Sequence, residues 1–149
     1  MKALTIWQPW ASLEISGAKK YETRPWQTNY RGTIAIHAAK KFVSFLTIQS
    51  PESKKIIETM EQPLGAVLGT IEILNCLKVI AHSKHSAVLY DGTNVSGQEL
   101  ELGDYSIGRY AWALENPRAF IKPIPASGQQ GFWNWTPPEG GLQYANIGL

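Results

Sequence analysis

The apolar run Ala66–Ile80, near the middle of the chain, is the feature that most constrains the fold. It is rich in valine, isoleucine and leucine, and branched aliphatic side chains favour strands. It is also shorter than the ~20 apolar residues that a membrane-spanning helix needs. An apolar segment with so little polar alternation predicts the central strand of a sheet. The rest of the chain then has to pack around that strand.

Shorter segments on both sides of this run also have the pattern of strands, with apolar positions bounded by turn-forming residues. These segments are Ala3–Trp7, Lys20–Arg24, Thr33–Ala39, Tyr110–Glu115 and Ala119–Ile124. We expect the last two to be joined by a turn at Asn116–Pro117. Trp7, a bulky residue in a short apolar strand, is expected in the core. Structural roles are also predicted for Trp112, Trp133 and Trp135.

Helix signals occur in two places. Pro9 suits the first turn of a helix and Gly17 is a natural stop, which predicts a short helix over Pro9–Ser16. Ser50–Glu52 supplies a capping hydroxyl, a proline at the first helical position and an acid in the first turn. A second helix is therefore predicted to run to Met60 or Glu61. Residues 40–49 are also predicted to be helical.

The remaining segments are rich in turn formers. Residues 81–106 are polar and predict an irregular excursion, whereas the tail from Pro125 is rich in glycine and proline with an aromatic cluster at 132–135. No internal repeat or interdomain linker occurs, so we expect a single domain over residues 1–149. Five or six short strands with two or three helices predict an α+β fold with a curled, barrel-like sheet.

Charge is distributed unevenly along the chain. Residues 1–55 carry nine lysines and arginines against three acidic residues, whereas residues 56–149 carry five against nine. The two parts therefore have formal charges of +6 and −4, and the first could supply a cationic surface of modest, salt-sensitive affinity. The alternative is that these charges form solvated faces without a partner.

Cysteine, histidine and the N-terminal residues narrow the class of protein further. The lone Cys76 cannot form an internal disulfide and is expected to be a buried, reduced thiol. The histidines lack cysteine or carboxylate partners at ligand spacing, so we expect neither a metal ion nor an organic cofactor. Met1–Lys2 leads directly into a strand-like run rather than a signal peptide, and a cytoplasmic protein without a membrane segment is expected.

Four spaced residues carry a family resemblance. Gly17, Lys19, Glu22 and Arg24 form the pattern Gly-x-Lys-x-x-Glu-x-Arg. Linked motifs accompany it: QPWA at 8–11, RG followed by IHAA within 31–39, and GTIEIL at 69–74. The chain resembles the ASCH domain, named after the activating signal cointegrator proteins. The resemblance implies a PUA-like β-barrel with a cleft beside the first helix, which in this family is proposed to take RNA or a nucleotide.

Arg24 and Lys19 of this pattern can each be interpreted as ligand-binding or as structural residues. Arg24 is suited to fork two hydrogen bonds to a phosphate or base edge, or else forms only an ion pair with Glu22, two residues away on the same strand face. Lys19 joins these two only if a turn or bulge follows Gly17; otherwise it is a solvated turn lysine. If it joins them, its ammonium could neutralise a phosphate or act as a base.

The other candidates for nucleic-acid contact are aromatic, amide or cationic residues near this pattern. Trp10 and Trp26 are stacking candidates or packing residues, and Gln8 either reads a base edge or caps the helix. Arg31, Lys40 and Lys41 are candidate phosphate contacts.

The resemblance also supports the alternative hypothesis that the chain is an enzyme. The resemblance extends, more distantly, to amidohydrolases that deacetylate N4-acetylcytidine, and another family member is reported as a ribonuclease. In the deacetylating branch a threonine nucleophile stands where this chain has Glu22, while Lys19, Arg24 and Glu72 match that branch's other polar residues. The loss of the nucleophile argues against deacetylation, although Lys19, Glu22, Arg24 and Glu72 could still serve acid–base chemistry.

The sequence therefore predicts an RNA-binding module, with DNA as the other nucleic-acid partner and hydrolysis of RNA or a modified nucleoside as the alternative function. A protein partner is also predicted for the aromatic tail, in which case truncation after Ile124 would spare RNA binding.

Overall fold

The computed structural model describes residues 1–42, Ile48 and residues 50–146. The strands of this part are β1 Lys2–Gln8, β2 Tyr21–Arg24, β3 Gly32–Phe42, β4 Ala66–His82, β5 Ala87–Leu89, β6 Asn94–Val95, β7 Tyr110–Pro125 and β8 Phe132–Asn134. The helices are α1 Trp10–Ile15, α2 Pro51–Thr59 and α3 Gly97–Glu101. The α+β class predicted from the sequence is confirmed. The six predicted segments lie in five of these strands. The other three, β5, β6 and β8, have two or three residues each, which is too few for a periodic pattern to appear.

The apolar run forms the centre of the sheet, as predicted. β4 lies between β3 and β7 in the hydrogen-bonded order β2-β7-β4-β3-β1-β8, and β5 pairs with β4 and β6 at one side. β1 and β3 are parallel, whereas the other pairs are antiparallel. This order is an open path from β2 to β8. One hydrogen bond connects β2 with β1, the strand before β8 in this path: Arg24 Nη2 donates to the backbone oxygen of Thr5 at 3.0 Å.

β7 is one long strand, and the predicted turn at Asn116–Pro117 is wrong. Its pairing with β4 continues past this point with register shifts, and Asn116 takes up the irregularity with a φ of 52°. The two strands approach closely at Gly69, where an added Cβ would lie 2.2 Å from the backbone oxygen of Arg118. A bulge rather than a break therefore accommodates the local change of direction.

Two apolar clusters cover the two faces of the sheet. On one face, Ala11 and Ile15 of α1 pack with the inward residues of the strands, including Ile34 and Ile71. On the other face, the C-terminal tail (residues 126–146) covers the small residues of β1 and β3, and Trp133 is buried there. The structural roles predicted for Trp112, Trp133 and Trp135 are confirmed, since all three belong to these clusters.

Trp7 is not in the core, contrary to the sequence-based expectation. Its side chain is 51% exposed. β8 pairs only with Lys2–Leu4 of β1, so the tail does not reach the end of the strand that carries Trp7. Strand periodicity indicates which face a residue occupies, but not how far a neighbouring strand extends.

The segment 81–106 is ordered rather than irregular. It contains β5, β6 and α3, and its apolar residues Ala87, Leu89 and Val95 pack with Tyr105 in a cluster of their own. Elements of two to five residues lie below the length at which sequence periodicity is informative.

Both sequence-predicted helix starts are close to the observed ones. α1 begins at Trp10, one residue after Pro9, and α2 begins at Pro51 with the Ser50 hydroxyl accepting from the Ser53 backbone N–H. The helix predicted for 40–49 falls largely outside the described residues, and its first residues belong to β3. Among the helices described, none combines the length and the hydropathy needed to cross a membrane.

Candidate functional site

A cleft of about 660 Å³ lies beside the first helix. The end of β1, α1, β2 and the segment after α3 form its walls, so β1 and β2, which are not neighbours in the sheet, both contribute to one site. The residues that line it are Thr5, Ile6, Trp7, Trp10, Lys19, Glu22, Thr23, Arg24, Pro25, Ile48, Glu101, Leu102, Gly103, Asp104 and Arg109.

Arg24 is held at one edge of its guanidinium. Its Nε donates to Glu22 Oε2 at 2.8 Å and its Nη2 donates to the Thr5 backbone oxygen at 3.0 Å. The ion pair proposed for Glu22 and Arg24 is therefore formed. Nη1 has no acceptor among the residues that the structure describes, and the side chain is partly exposed at the cleft. The outer fork of the guanidinium is thus oriented by the protein and open to a ligand.

Arg109 forms a second oriented guanidinium at the cleft, next to β2, where Arg24 pairs with Tyr110. Its Nη2 donates to the Thr23 backbone oxygen at 3.0 Å, and its Nε lies 3.4 Å from Asp104 Oδ2. Partial burial disfavours the Asp104 carboxylate, but hydrogen bonds from Ser106 and the charge of Arg109 hold its pKa below the usual value. Sequence analysis missed Arg109, because nothing in the local pattern shows that residues 101–109 fold against β2.

Lys19 reaches the site in the way that its spacing requires. Gly17 has a φ of +84°, and the backbone N–H of Lys19 donates to the Leu13 oxygen at 3.0 Å, so a turn follows α1. This turn directs the side chain inward, where it is 2% exposed and its Nζ donates to the Tyr21 backbone oxygen. Lys19 is therefore a buried cation at the floor of the cleft and not a solvated turn residue.

Glu14 lies beneath this floor and was not singled out by sequence. It is fully buried, and its Oε2 lies 3.9 Å from Lys19 Nζ. Burial and the negative charge of Glu22 raise the pKa of Glu14 well above its usual value, and the positive charge of Lys19 opposes this shift. The sequence signal was an acid four residues after Trp10, which puts a carboxyl on the packed side of a short helix.

The charges that line the cleft are mixed. Three cations (Lys19, Arg24 and Arg109) face three carboxylates (Glu22, Glu101 and Asp104). Glu101 is also used structurally, because it accepts hydrogen bonds from the Ser50 backbone N–H and the Ser53 hydroxyl at the start of α2. The cleft is therefore less cationic than the charge of residues 1–55 suggests.

The aromatic residues near the motif fall into three environments. Trp7 is half exposed at the cleft, which makes its ring the accessible stacking surface. Trp10 also lines the cleft, but its Nε1 donates to the Leu102 backbone oxygen at 2.9 Å. Trp26 packs edge-on against Trp112 with ring centroids 4.7 Å apart, and it does not line the cleft.

The remaining candidates lie outside the cleft. Gln8 is fully buried, and its side-chain amide bonds Ser12 and the Pro63 oxygen, which makes it a structural residue next to α1. Arg31 donates to the backbone oxygens of its own turn. Lys40 and Lys41 are exposed on β3, in the strand next to the end of β1.

Glu72 is also separated from the motif. Glu72 lies on β4, where it pairs with Thr33 of β3 and Glu115 of β7, and it does not line the cleft. The structure thus brings Lys19, Glu22 and Arg24 together but leaves out the fourth residue of the acid–base set.

No group of three or more histidine, cysteine or acidic side chains is placed to hold a metal ion in the described part of the chain. Trp133 and Trp135 of the tail are buried against the sheet, so their rings are not available to a docking partner. Other residues of the tail are exposed, and a protein partner for the tail stays a prediction.

The mixed sheet and its cleft, lined by charged and apolar side chains with the exposed Trp7 at its edge, define a small α+β fold with a candidate site at its first helix. The sequence model of the ASCH domain matches residues 4–124, and the chain belongs to the ASCH domain family. Activating signal cointegrator 1 of Homo sapiens is 24% identical over 137 residues, which cover 87% of this chain and 21% of that protein. The protein of the same name from Mus musculus gives the same identity and coverage. The chain therefore spans about a fifth of the length of these relatives.

Proposed function

We propose that this chain is an RNA-binding module that holds its ligand in the cleft around Lys19, Glu22 and Arg24. Membership of the ASCH domain family, which is generally linked to RNA binding, supports the ligand class. The open fork of Arg24 is the observation that carries the proposal. A guanidinium oriented by a carboxylate and a backbone oxygen suits a phosphate oxygen or a base edge, and it binds without losing further side-chain freedom.

Trp7 supplies the second element of recognition. Its half-exposed ring lies at the same cleft as Arg24, so a base stacked on it would have its phosphate or polar edge within the cleft. Stacking of this kind tolerates any base, whereas hydrogen bonds from Arg24 and Arg109 discriminate between polar edges. The exposed Lys40 and Lys41, one strand away, are suited to add phosphate contacts outside the cleft.

The structure offers less support for hydrolysis. Acid–base chemistry requires its groups within reach of one another, and Glu72 does not line the cleft that contains Lys19 and Glu22. We therefore propose binding as the function of this site.

Substitution of Arg24 tests the proposal. Arg24→Ala is expected to weaken binding of a single-stranded RNA oligonucleotide by about 1–3 kcal/mol, because the oriented guanidinium fork is lost. Fluorescence anisotropy at fixed salt concentration measures the effect, with a DNA oligonucleotide of the same sequence in parallel.

Arg118→Ala provides the matched control. Arg118 is an exposed arginine of β7 that stacks on Tyr144, with its Cζ 3.6 Å from the ring centroid, and it does not line the cleft. It is expected to leave RNA affinity unchanged. Equal affinities of the folded Arg24→Ala variant and the wild-type protein would contradict the assignment of the cleft.

A further inference from the structure

Glu14 is a buried carboxyl group that the proposed site does not use directly. It is fully buried on α1, and neither of its carboxyl oxygens accepts a hydrogen bond from a described residue. Its side-chain hydrogen bond with Glu22 joins two carboxyl groups and therefore needs a proton on one of them. Buried polar side chains are normally hydrogen bonded, and an ionised carboxylate without donors is far more costly to bury than a neutral acid. The group therefore needs an explanation in terms of the cleft above it.

The titratable groups that face Glu14 come from three directions. Lys19 approaches from the turn after α1, Glu22 and Arg24 from β2, and Tyr105 from the segment after α3. Lys19 Nζ is 3.9 Å from Glu14 Oε2 and donates to the Tyr21 oxygen, so its charge acts on Glu14 without a hydrogen bond between the two side chains. Tyr105 directs its hydroxyl to Glu99, at 3.4 Å, and not to Glu14.

The ionised and the protonated form of Glu14 give different net charges to the group of Glu14, Lys19, Glu22 and Arg24. With Glu14 ionised, two carboxylates balance Lys19 and Arg24, and the group is neutral. With Glu14 protonated, only Glu22 remains negative and the group has a charge of +1. A single buried proton therefore decides whether the floor of the cleft attracts an anion.

We propose that Glu14 is held as a neutral carboxylic acid and thereby makes the cleft selective for an anionic, phosphate-bearing ligand. The inference rests on the proposed function, since the phosphate of a bound RNA is the anion concerned. The direction of the pKa shift agrees with the geometry: burial, the charge of Glu22 and a side-chain hydrogen bond with Glu22 raise the pKa of Glu14, and the charges of Lys19 and Arg24 only partly oppose them. Loss of the proton would place a second negative charge below the phosphate and weaken its binding.

The pH dependence of RNA affinity tests this role. For the wild-type protein, affinity for a single-stranded uridine oligonucleotide is expected to fall by about tenfold as Glu14 ionises, measured from about pH 5 to about pH 9 at constant ionic strength. Glu14→Gln replaces the acid by a neutral group of the same shape. The variant should keep the RNA affinity that the wild-type protein has at low pH, and this affinity should not change over the pH range in which Glu14 ionises.

Controls separate this effect from general titration. Glu115→Gln removes an exposed carboxylate of β7 that does not line the cleft, and it is expected to keep the wild-type profile. Uridine, which has no phosphate, should bind with an affinity that does not change through the Glu14 transition. A Glu14→Gln profile that declines in parallel with the wild-type profile would overturn the inference.

The protonation of Glu14 can also be measured directly in the wild-type protein, without an RNA-binding assay. The carboxyl carbon of Glu14 in ¹³C-glutamate-labelled protein should keep the chemical shift of a protonated acid well above the pH at which exposed glutamates titrate. A shift typical of an ionised carboxylate at neutral pH would overturn the inference, even if Glu14→Gln fails to fold. Absence of RNA binding at every pH would instead contradict the proposed function, while the chemical shift still decides the charge of Glu14.

Discussion

The tail-covered face of the sheet and the floor of the cleft both bury a titratable side chain, but they treat it differently. Under the tail, His37 has both ring nitrogens engaged: Nε2 donates to the Ala126 oxygen at 2.7 Å, and Nδ1 lies 3.1 Å from the Thr5 hydroxyl. Beneath the cleft, neither oxygen of Glu14 accepts a hydrogen bond from the residues described.

This difference separates a structural region from a binding region. A buried polar group with all its partners adds specificity to the packing at little cost, whereas one without partners lowers stability and persists where function requires it. The cleft side is therefore where we expect substitutions to raise stability while altering binding. The tail side should show only losses of stability.

The largest effect is expected on the tail side. Trp133→Ala should lower the free energy of unfolding by about 3–5 kcal/mol, because Trp133 is buried and its Nε1 donates to the Thr5 hydroxyl at 3.0 Å. Denaturant unfolding measures this loss. A decrease below about 1 kcal/mol would show that the tail contributes little to the core, and would remove the contrast between the two regions.

An intermediate effect is expected for the pH dependence of stability at Glu14. Its pKa in the folded protein is raised above the reference value of 4.5, so the folded state binds the proton more tightly than the unfolded chain. This contribution to stability is fully present below about pH 4.5 and is lost as the pH rises towards the raised pKa, at up to about 1.4 kcal/mol per pH unit. Glu14→Gln should abolish that slope. Identical slopes for the variant and the wild-type protein in urea unfolding at several pH values would show that Glu14 is ionised in the folded state.

The smallest effect on stability is expected for Trp7, where the two regions differ in the use of an aromatic ring. Trp7→Ala should change the free energy of unfolding by less than about 1 kcal/mol because the ring is half exposed, yet weaken RNA binding by about 1–3 kcal/mol through lost stacking. Trp26→Ala is the paired variant, since Trp26 packs against Trp112 and should reduce stability instead. A Trp7→Ala variant with unchanged RNA affinity would exclude the ring as a stacking surface.

Sequence patterns predicted the parts of the molecule that depend on local chemistry. The apolar run of β4 and the cap and proline at the start of α2 are signals that lie within a few residues, and both are observed. The turn after Gly17 was also foreseeable, because only a turn could bring Lys19 to the side of Glu22 and Arg24.

The parts that sequence did not predict depend on distant segments. Exposure of Trp7 is set by where β8 ends, and Arg109 joins the cleft through a hydrogen bond to the backbone of β2. Glu14 was identifiable from its spacing to Trp10 as a residue on the packed side of α1. Its lack of hydrogen-bond donors in the described part of the chain depends on how α1 packs on the sheet, which no local pattern encodes.

Thr5 connects the tail-covered face of the sheet with the cleft. Its hydroxyl receives the Trp133 Nε1–H and faces His37, while its backbone oxygen holds Arg24. The orientation of the guanidinium in the cleft is thus set partly by residues more than a hundred positions later in the chain. Truncation after Ile124 is therefore expected to weaken the support of Arg24 and abolish RNA binding, although it removes no residue that lines the cleft.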